Sequence, residues 1–184
     1  MKIAIIGAGN MGGALARGLA HSTKVSAENI WLSNPSYGKL DAMKNEFPAM
    51  NVTTDNCVAA AAADIIFLAV KPYKVQSVVE EIKNSVDYSV QTIASMVGGL
   101  GVAQLDEWLK KDDSQLPPVY LVIPNTAIAT MSSMTFIASA RSTEAMDATL
   151  LDIFNELGEA MLVEERLVAA GTSLASCGIA FAMR

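Results

Sequence analysis

The sequence is poor in the side chains that most often carry metal or nucleophilic chemistry. It has one histidine, His21, and two cysteines, Cys57 and Cys177, which lie far apart with no CxxC spacing. A lone histidine makes no catalytic triad, and two distant cysteines indicate neither a disulfide framework nor a zinc site. We therefore expect no metal site, a cytoplasmic location and two cysteines that act as small buried side chains.

Basic residues and long apolar runs are also scarce. The 13 lysines and arginines are outnumbered by 19 aspartates and glutamates, which gives a formal net charge of −6. Such an acidic chain is repelled by phosphate backbones, so no nucleic-acid partner is expected. The uncharged segment 167–183 falls just short of the length that spans a bilayer. We expect no membrane span and no signal peptide, and we interpret this segment as a buried or interface helix.

What the chain does contain is a regular alternation of short apolar runs and longer stretches with helical periodicity. The predicted strands are 2–6, 29–33, 51–53, 64–70, 88–94, 119–123, 133–138 and 160–163. The predicted helices are 10–20, 36–46, a turn that Asp55 caps, 73–84, 102–110, 143–157 and a final helix from about 165. This alternation predicts an α/β fold with a doubly wound, mainly parallel, Rossmann-like sheet.

The first predicted strand runs directly into a glycine-rich turn. Residues 7–12 read Gly7-Ala8-Gly9-Asn10-Met11-Gly12, a GxGxxG pattern between a strand and a helix. In such a turn Gly7 allows the tight reversal, Gly9 lets a pyrophosphate approach the backbone, and Gly12 lets the helix pack closely. The free N–H groups of the helix N-terminus then hold the phosphates. The pattern predicts a dinucleotide site, and the alternative is a plain glycine turn.

The end of the second strand bears on the choice between the two nicotinamide cofactors. It reads Ser33-Asn34-Pro35-Ser36, with Lys39 one turn further on. NAD sites usually place an acidic residue here to bind the ribose hydroxyls, and this sequence has none. Small polar donors and a lysine would tolerate a 2′-phosphate and partly neutralise it. The pattern favours NADP(H) and still permits NAD, unless Pro35-Ser36 merely starts a helix.

Two further strand ends carry polar groups, and in open α/β sheets such ends line the ligand crevice. Ala69-Val70-Lys71-Pro72 ends the fourth strand, where Lys71 is either a phosphate or acid–base residue or a solvated lysine. Asn125 follows another strand and either offers a donor and an acceptor to a ligand or forms a turn. The acidic pairs 80–81 and 164–165 are predicted as solvated helix faces.

Together these residues resemble the pyrroline-5-carboxylate reductase family. The family's IGxGNMG opening, Thr-Asp-Asn, AVKP, Ile-Ala-rich strand, PNTP element and TALSGSGPAY-like segment have counterparts at 5–12, 54–56, 69–72, 93–94, 124–127 and 172–181. Their order and spacing agree along the whole chain. The departures are Met96 and Ala127 and, in the last segment, Ala175, Ser176, Cys177, Ile179 and Phe181.

The resemblance implies NADPH-dependent reduction of the cyclic imine 1-pyrroline-5-carboxylate to proline. It implies that NADPH lies across residues 7–11, 33–35, Asn56 and 69–72, and that Thr172 and Asn125 belong to the catalytic centre, with Thr172 donating a hydrogen bond to the ring nitrogen. A protonated cyclic imine is already electrophilic, so hydride transfer needs positioning more than acid–base machinery. Two alternatives stay open: a reductase of another small imine or carbonyl compound, and a non-catalytic NAD(P)-binding module.

The resemblance also implies a second domain and a partner subunit. We expect residues 1–163 to form the dinucleotide-binding domain and 164–184 to form the first helix of a truncated helical dimerisation domain. The segment 167–183 is apolar nearly all round, and a helix of that kind must be buried somewhere. We expect a homodimer or higher homo-oligomer through this helix, with its folding back on its own sheet as the alternative.

Overall fold

Eight strands form one sheet in the computed structural model, which describes residues 1–112 and 115–178. Their order is β3-β2-β1-β4-β5-β6-β7-β8, and neighbouring strands are parallel except for the antiparallel pair β6 and β7. The strands are β1 Ile3–Ile6, β2 Ile30–Ser33, β3 Asn51–Thr53, β4 Ile65–Leu68, β5 Thr92–Ser95, β6 Val119–Ile123, β7 Ser133–Ala140 and β8 Gly158–Leu162. The predicted mainly parallel, Rossmann-like α/β sheet is confirmed, with its strand order reversing at β1.

Helices cover both faces of this sheet. They are α1 Asn10–His21, α2 Tyr37–Glu46, α3 Asn56–Ala61, α4 Val75–Ile82, α5 Val102–Leu109, α6 Glu144–Glu156 and α7 Val168–Thr172. The predicted cap of α3 is confirmed, because the side chain of Asp55 accepts hydrogen bonds from the backbone N–H groups of Cys57 and Val58. Cys57 itself is half-buried and not fully buried as predicted, and the side chain of Cys177 lies outside the described residues.

The core has two layers, one on each face of the sheet, and every residue of β1 is buried in one of them. Ile3 and Ile5 pack in the layer that contains α1, α2 and α6, whereas Ala4 and Ile6 pack in the layer that contains α3, α4 and α5. Each fully buried isoleucine contributes about 1.5–3 kcal/mol of transfer free energy. A sheet covered on both faces therefore explains why β1 and β4 are continuous apolar runs in the sequence.

The fifth strand begins later than predicted. The sequence favoured a strand over 88–94, but β5 starts at Thr92 because the preceding residues form a hydrogen-bonded turn. The carboxylate of Asp87 accepts from the backbone N–H of Ser89 at 2.9 Å, and the backbone oxygen of Asp87 accepts from Gln91 N at 2.9 Å. Apolar residues inside an Asx turn thus imitated the start of a strand.

The end of the described chain is helical but irregular. A 3₁₀ turn over Glu165–Leu167 leads into α7, and a π-helical turn follows over Ser173–Cys177. The predicted final helix is confirmed as far as residue 178, and its later part lies outside the described residues. Among the residues that the structure describes, no helix is long and apolar enough to cross a membrane. The division of the chain at residue 163 stays a prediction.

Candidate cofactor site

The turn between β1 and α1 adopts a conformation that requires glycine at two positions. Gly7 has φ +109°, and a Cβ atom there would lie 2.6 Å from the carbonyl oxygen of Ala69. At Gly12 a Cβ atom would lie 1.9 Å from the carbonyl oxygen of Gly7. These two glycines are therefore explained by the fold itself, since the turn, α1 and the end of β4 pack too closely for any side chain.

Gly9 is different, because its glycine is not required by the packing of the protein. A Cβ atom built on Gly9 meets no atom within 4 Å. Gly9 precedes α1 as its N-cap residue, and no side chain caps the first turn of that helix. The first N–H groups of α1 therefore face open space, which is the arrangement that binds anions.

A groove of about 450 Å³ brings the predicted strand ends together at the carboxyl edge of the sheet. It runs from the glycine turn past the end of β2 to the end of β4. Its walls are formed by Gly7, Gly9, Asn10, Met11, Asn34, Pro35, Lys39, Ala69, Val70, Lys71 and Lys74. Ala8 lines an adjoining cavity of about 190 Å³, together with Arg17 and Lys39. The structure thus gathers residues from three separate motifs into one site, as predicted.

Three lysines give this groove a positive rim on an acidic protein. Lys39, Lys71 and Lys74 all line it, and within residues 1–112 and 115–178 none of them forms an ion pair. Lys74 was not singled out by the sequence analysis, although its place in the turn that begins at Pro72 was a usable signal. Unpaired ammonium groups beside a helix N-terminus favour a ligand with several negative charges.

The polar side chains at the end of β2 already form hydrogen bonds within the protein. Ser33 is fully buried and its hydroxyl donates a 2.5 Å hydrogen bond to Oδ1 of Asn56. Asn34 lines the groove, but its Oδ1 accepts from Ala8 N at 3.3 Å and its Nδ2 donates to the backbone and side-chain oxygens of Ser36 at 3.0 and 3.2 Å. The hydroxyl of Ser33 is therefore directed into the protein towards Asn56, and a contact of Ser33 with a 2′-phosphate stays a prediction.

Besides Ser33, and Ala8 in the adjoining cavity, two further predicted cofactor residues do not line the groove. Asn56 is the first residue of α3 and turns its carboxamide towards Ser33. Pro72 begins the 3₁₀ turn that carries Lys74 into the groove wall. Asn56 and Pro72 therefore help to position the groove wall without lining the groove themselves.

Asn125 and Thr172 have internal partners. Asn125 is 7% exposed, its Oδ1 accepts from Ala127 N at 3.0 Å, and its Nδ2 donates to the backbone oxygen of Ala175 at 3.1 Å. Thr172 donates its hydroxyl to the backbone oxygen of Val168 at 2.8 Å. The structure brings Asn125 against the turn that follows α7, but neither side chain lines the groove.

Two glutamates predicted as solvated helix faces make long-range contacts. Glu165 accepts a 2.8 Å hydrogen bond from Val102 N and so caps α5. Glu81, on α4, accepts a 2.9 Å hydrogen bond from Nδ2 of Asn56. Their exposure is as predicted, but their partners lie 63 and 25 positions away and could not be inferred from local sequence pattern.

Comparison with known proteins identifies the family to which this chain belongs. The sequence model of the family described as NADP oxidoreductase, coenzyme F420-dependent, matches residues 2–96. The chain belongs to this family. The match covers β1 to β5 and therefore includes the glycine turn and the walls of the groove.

The resemblance to pyrroline-5-carboxylate reductases is also confirmed. The chain is 33% identical over 181 residues to that enzyme from Methanosarcina acetivorans and 32% identical over 196 residues to pyrroline-5-carboxylate reductase 2 from Dictyostelium discoideum. These alignments cover 98% and 100% of this chain. The chain spans 65% and 64% of those two relatives and 34% of a second Dictyostelium discoideum reductase.

Solved structures give the same result for the fold. The structure of a pyrroline-5-carboxylate reductase from Coxiella burnetii matches 99% of this chain with a TM-score of 0.89 and 25% identity, and the chain covers 66% of it. The pyrroline carboxylate reductase of Plasmodium falciparum, solved with NADP bound, matches 100% of this chain with a TM-score of 0.86 and 27% identity, and the chain covers 65% of it.

Proposed function

We propose that this chain binds NADP(H) in the groove at the carboxyl edge of its sheet and takes part in the reduction of 1-pyrroline-5-carboxylate to proline. The observation that carries the proposal is the open space beside Gly9, at a helix N-terminus without a side-chain cap, in a groove lined by three lysines that form no ion pair within the described residues. The relative from Plasmodium falciparum, which has NADP bound, supports the same cofactor.

The cofactor phosphates are assigned to two parts of the groove. The pyrophosphate is held by N–H groups at the start of α1, where Gly9 leaves room for it. The 2′-phosphate is assigned to Lys39, which lies beside Asn34 and Pro35 at the end of β2. The preference for NADP over NAD therefore rests on lysine charge, because Ser33 and Asn34 use their polar atoms within the protein.

The reacting end is assigned to the side where β4 ends. A bound NADPH would supply the hydride, and a protonated cyclic imine needs little acid–base help to accept it. Asn125 and Thr172 are proposed to contact the substrate. A threonine hydroxyl carries one proton, so Thr172 must turn away from the backbone oxygen of Val168 before it can donate to the ring nitrogen.

A homo-oligomer is part of the proposal. Leu167 is 41% exposed and Leu174 is 72% exposed, both on the C-terminal helical segment, and Met161 on β8 is 45% exposed. Large apolar side chains exposed on one helical segment favour an interface there. Light scattering at micromolar concentration tests this, and a clean 19.4 kDa monomer would contradict it. A cytoplasmic location is proposed as well, because Cys57 is a free thiol.

Calorimetric titration of NADP⁺ tests the cofactor site. Gly9→Ala should weaken binding at least about tenfold, because its methyl group occupies the space beside the helix N-terminus, and Gly9→Glu should abolish it. Gly38→Ala is the matched control, since Gly38 also has open space around it but lies outside the groove. Equal affinity in wild type and Gly9→Glu would overturn the site.

Oxidation of NADPH in the presence of 1-pyrroline-5-carboxylate tests the reaction. Turnover that is lost in Gly9→Glu supports the reductase. Tight NADP⁺ binding without turnover of this imine, but with turnover of another imine or a carbonyl compound, would change the substrate. Binding without any turnover would make the chain a cofactor-binding module.

A further inference from the structure

An exposed carboxylate outside the groove is connected to the glycine turn by a chain of hydrogen bonds. Glu81 Oε2, on α4, accepts a 2.9 Å hydrogen bond from Asn56 Nδ2. Asn56 Oδ1 accepts a 2.5 Å hydrogen bond from the hydroxyl of Ser33, and the backbone oxygen of Ser33 accepts a 2.8 Å hydrogen bond from Gly7 N. These three hydrogen bonds link four residues, each from a different segment of the chain, from Glu81 to Gly7.

The negative charge of Glu81 determines which group donates in both side-chain hydrogen bonds, the one between Asn56 and Glu81 and the one between Ser33 and Asn56. An ionised carboxylate only accepts hydrogen bonds, so the amide nitrogen of Asn56 must face Glu81 and its oxygen must face Ser33. Ser33 must then donate its proton to Asn56. Because Ser33 is fully buried, its hydroxyl has no contact with solvent, and its orientation is set by Asn56.

The chain ends at the part of the fold that holds the proposed cofactor site. Ser33 is the last residue of β2, and its backbone oxygen accepts the hydrogen bond that anchors Gly7, whose φ is +109°. The neighbouring Asn34 accepts from Ala8 N in the same turn. A shift at the end of β2 would therefore move both Gly7 and Ala8 relative to the groove.

We propose that Glu81 is a positioning residue for the cofactor turn, acting through Asn56 and Ser33 on Gly7. Glu81 does not line the groove, so its effect on the cofactor is indirect. The proposal rests on the proposed function, since it assigns Glu81 a role in NADP(H) binding. Its neighbour Glu80 supplies a natural comparison: Glu80 accepts a hydrogen bond only from Gln76 of its own helix among the bonds seen in the described residues.

Three variants test this role by titration of NADP⁺. Glu81→Ala should weaken binding about fivefold, because the carboxamide of Asn56 loses the group that orients it. Glu81→Gln should have a smaller effect, about twofold, because its neutral amide can accept the same bond but no longer imposes one direction. Glu80→Ala is the matched control and should bind like wild type.

A spectroscopic readout separates positioning from a general loss of structure. The side-chain NH₂ signals of Asn56 should shift in Glu81→Ala without ligand and stay in place in Glu80→Ala, while the signals of the core strands stay unchanged in both. Unchanged NADP⁺ affinity in Glu81→Ala, or unchanged Asn56 signals, would overturn the proposal. Failure of the wild-type protein to bind NADP⁺ would overturn the proposed function, and the cofactor role of Glu81 would fall with it.

Discussion

The glycine turn after β1 and the turn after β6 both leave the carboxyl edge of the sheet, yet their polar groups are used differently. Beside the glycine turn, the space at Gly9 is empty and α1 has no side-chain cap. After β6, Asn125 caps its own turn and also donates to Ala175, while Thr172 donates to Val168. One turn faces open space, and the other is satisfied by its own chain.

This difference separates two kinds of binding residue. Groups around Gly9 can receive a ligand without breaking any bond in the described structure. To donate to a substrate, Thr172 would have to give up the bond of its single hydroxyl proton to Val168, and such an exchange contributes little net free energy, whereas the amide of Asn125 keeps a second N–H. We therefore infer that the cofactor site is preformed, whereas the proposed substrate contacts require a local rearrangement around α7.

The largest expected effect distinguishes the glycines of the turn from one another. Gly12→Ala should destabilise the fold by about 3 kcal/mol, because its methyl group would overlap the carbonyl oxygen of Gly7. Gly9→Ala should cost at most about 1 kcal/mol, the difference between these residues at an N-cap. Urea unfolding of both variants measures this, and equal destabilisation would show that Gly9 also serves the fold.

The next effect concerns the charge around the groove. Lys39→Ala should weaken NADP⁺ binding about tenfold, because a charge-assisted contact to the 2′-phosphate is lost. NAD⁺ binding should change less than about twofold, since that cofactor carries no 2′-phosphate. Lys110→Ala, a lysine outside the groove, is the control. Equal losses for both cofactors would move the contact of Lys39 to the pyrophosphate.

Glu156, the last residue of α6, forms an acid-sensitive clamp on residues 22–24. Glu156 accepts hydrogen bonds from Ser22, from Thr23 and from the backbone of Lys24, and these bonds lower the pKa of its carboxyl from 4.5 to about 2. A depressed pKa stabilises the fold above pH 4.5, and this contribution is lost as the pH falls towards 2.

Glu156→Gln should therefore lower the free energy of unfolding at pH 6 and lower it less at pH 3, where part of the contribution is already lost. Urea unfolding at the two pH values measures this difference. The matched change Glu159→Gln, at an exposed residue of β8, should have no comparable effect at either pH. An equal loss at both pH values would show that Glu156 acts by packing and not by its charge.

The smallest effect tests the turn after β6. Met131 has φ 56° and ψ 38°, a left-handed conformation that is uncommon for methionine. Met131→Asn should stabilise the protein by about 0.5 kcal/mol, because asparagine tolerates this conformation better. Thermal unfolding measures the change. Destabilisation would show that the side chain of Met131, which is 37% exposed, contributes packing that outweighs its backbone strain.

Periodicity and glycine spacing were sufficient to predict the sheet and the glycine turn between β1 and α1. Continuous apolar runs identify strands covered on both faces, and a GxGxxG after a strand has few other uses. The predicted start of β5 was wrong because the turn that begins at Asp87 contains apolar residues. Local pattern cannot distinguish a half-buried turn from the first residues of a strand.

The parts of the site that sequence could not predict depend on long-range partners. Ser33 was expected to face the cofactor, but only the fold shows that its hydroxyl faces Asn56. Glu81 appeared to be an ordinary surface glutamate until α3 and α4 were placed side by side. Whether a side chain at the end of a strand faces solvent or the protein depends on neighbours that are distant in the sequence.

Chemical-shift mapping with NADP⁺ tests the central claim most directly, because it reports on both turns in one experiment. We predict that the backbone amide signals of residues 7–12 and 69–71 shift on addition of NADP⁺, while those of residues 126–130 shift much less. The same signals should stay in place in Gly9→Glu. Shifts of equal size at both turns, or shifts that persist in Gly9→Glu, would contradict a preformed cofactor site at the glycine turn.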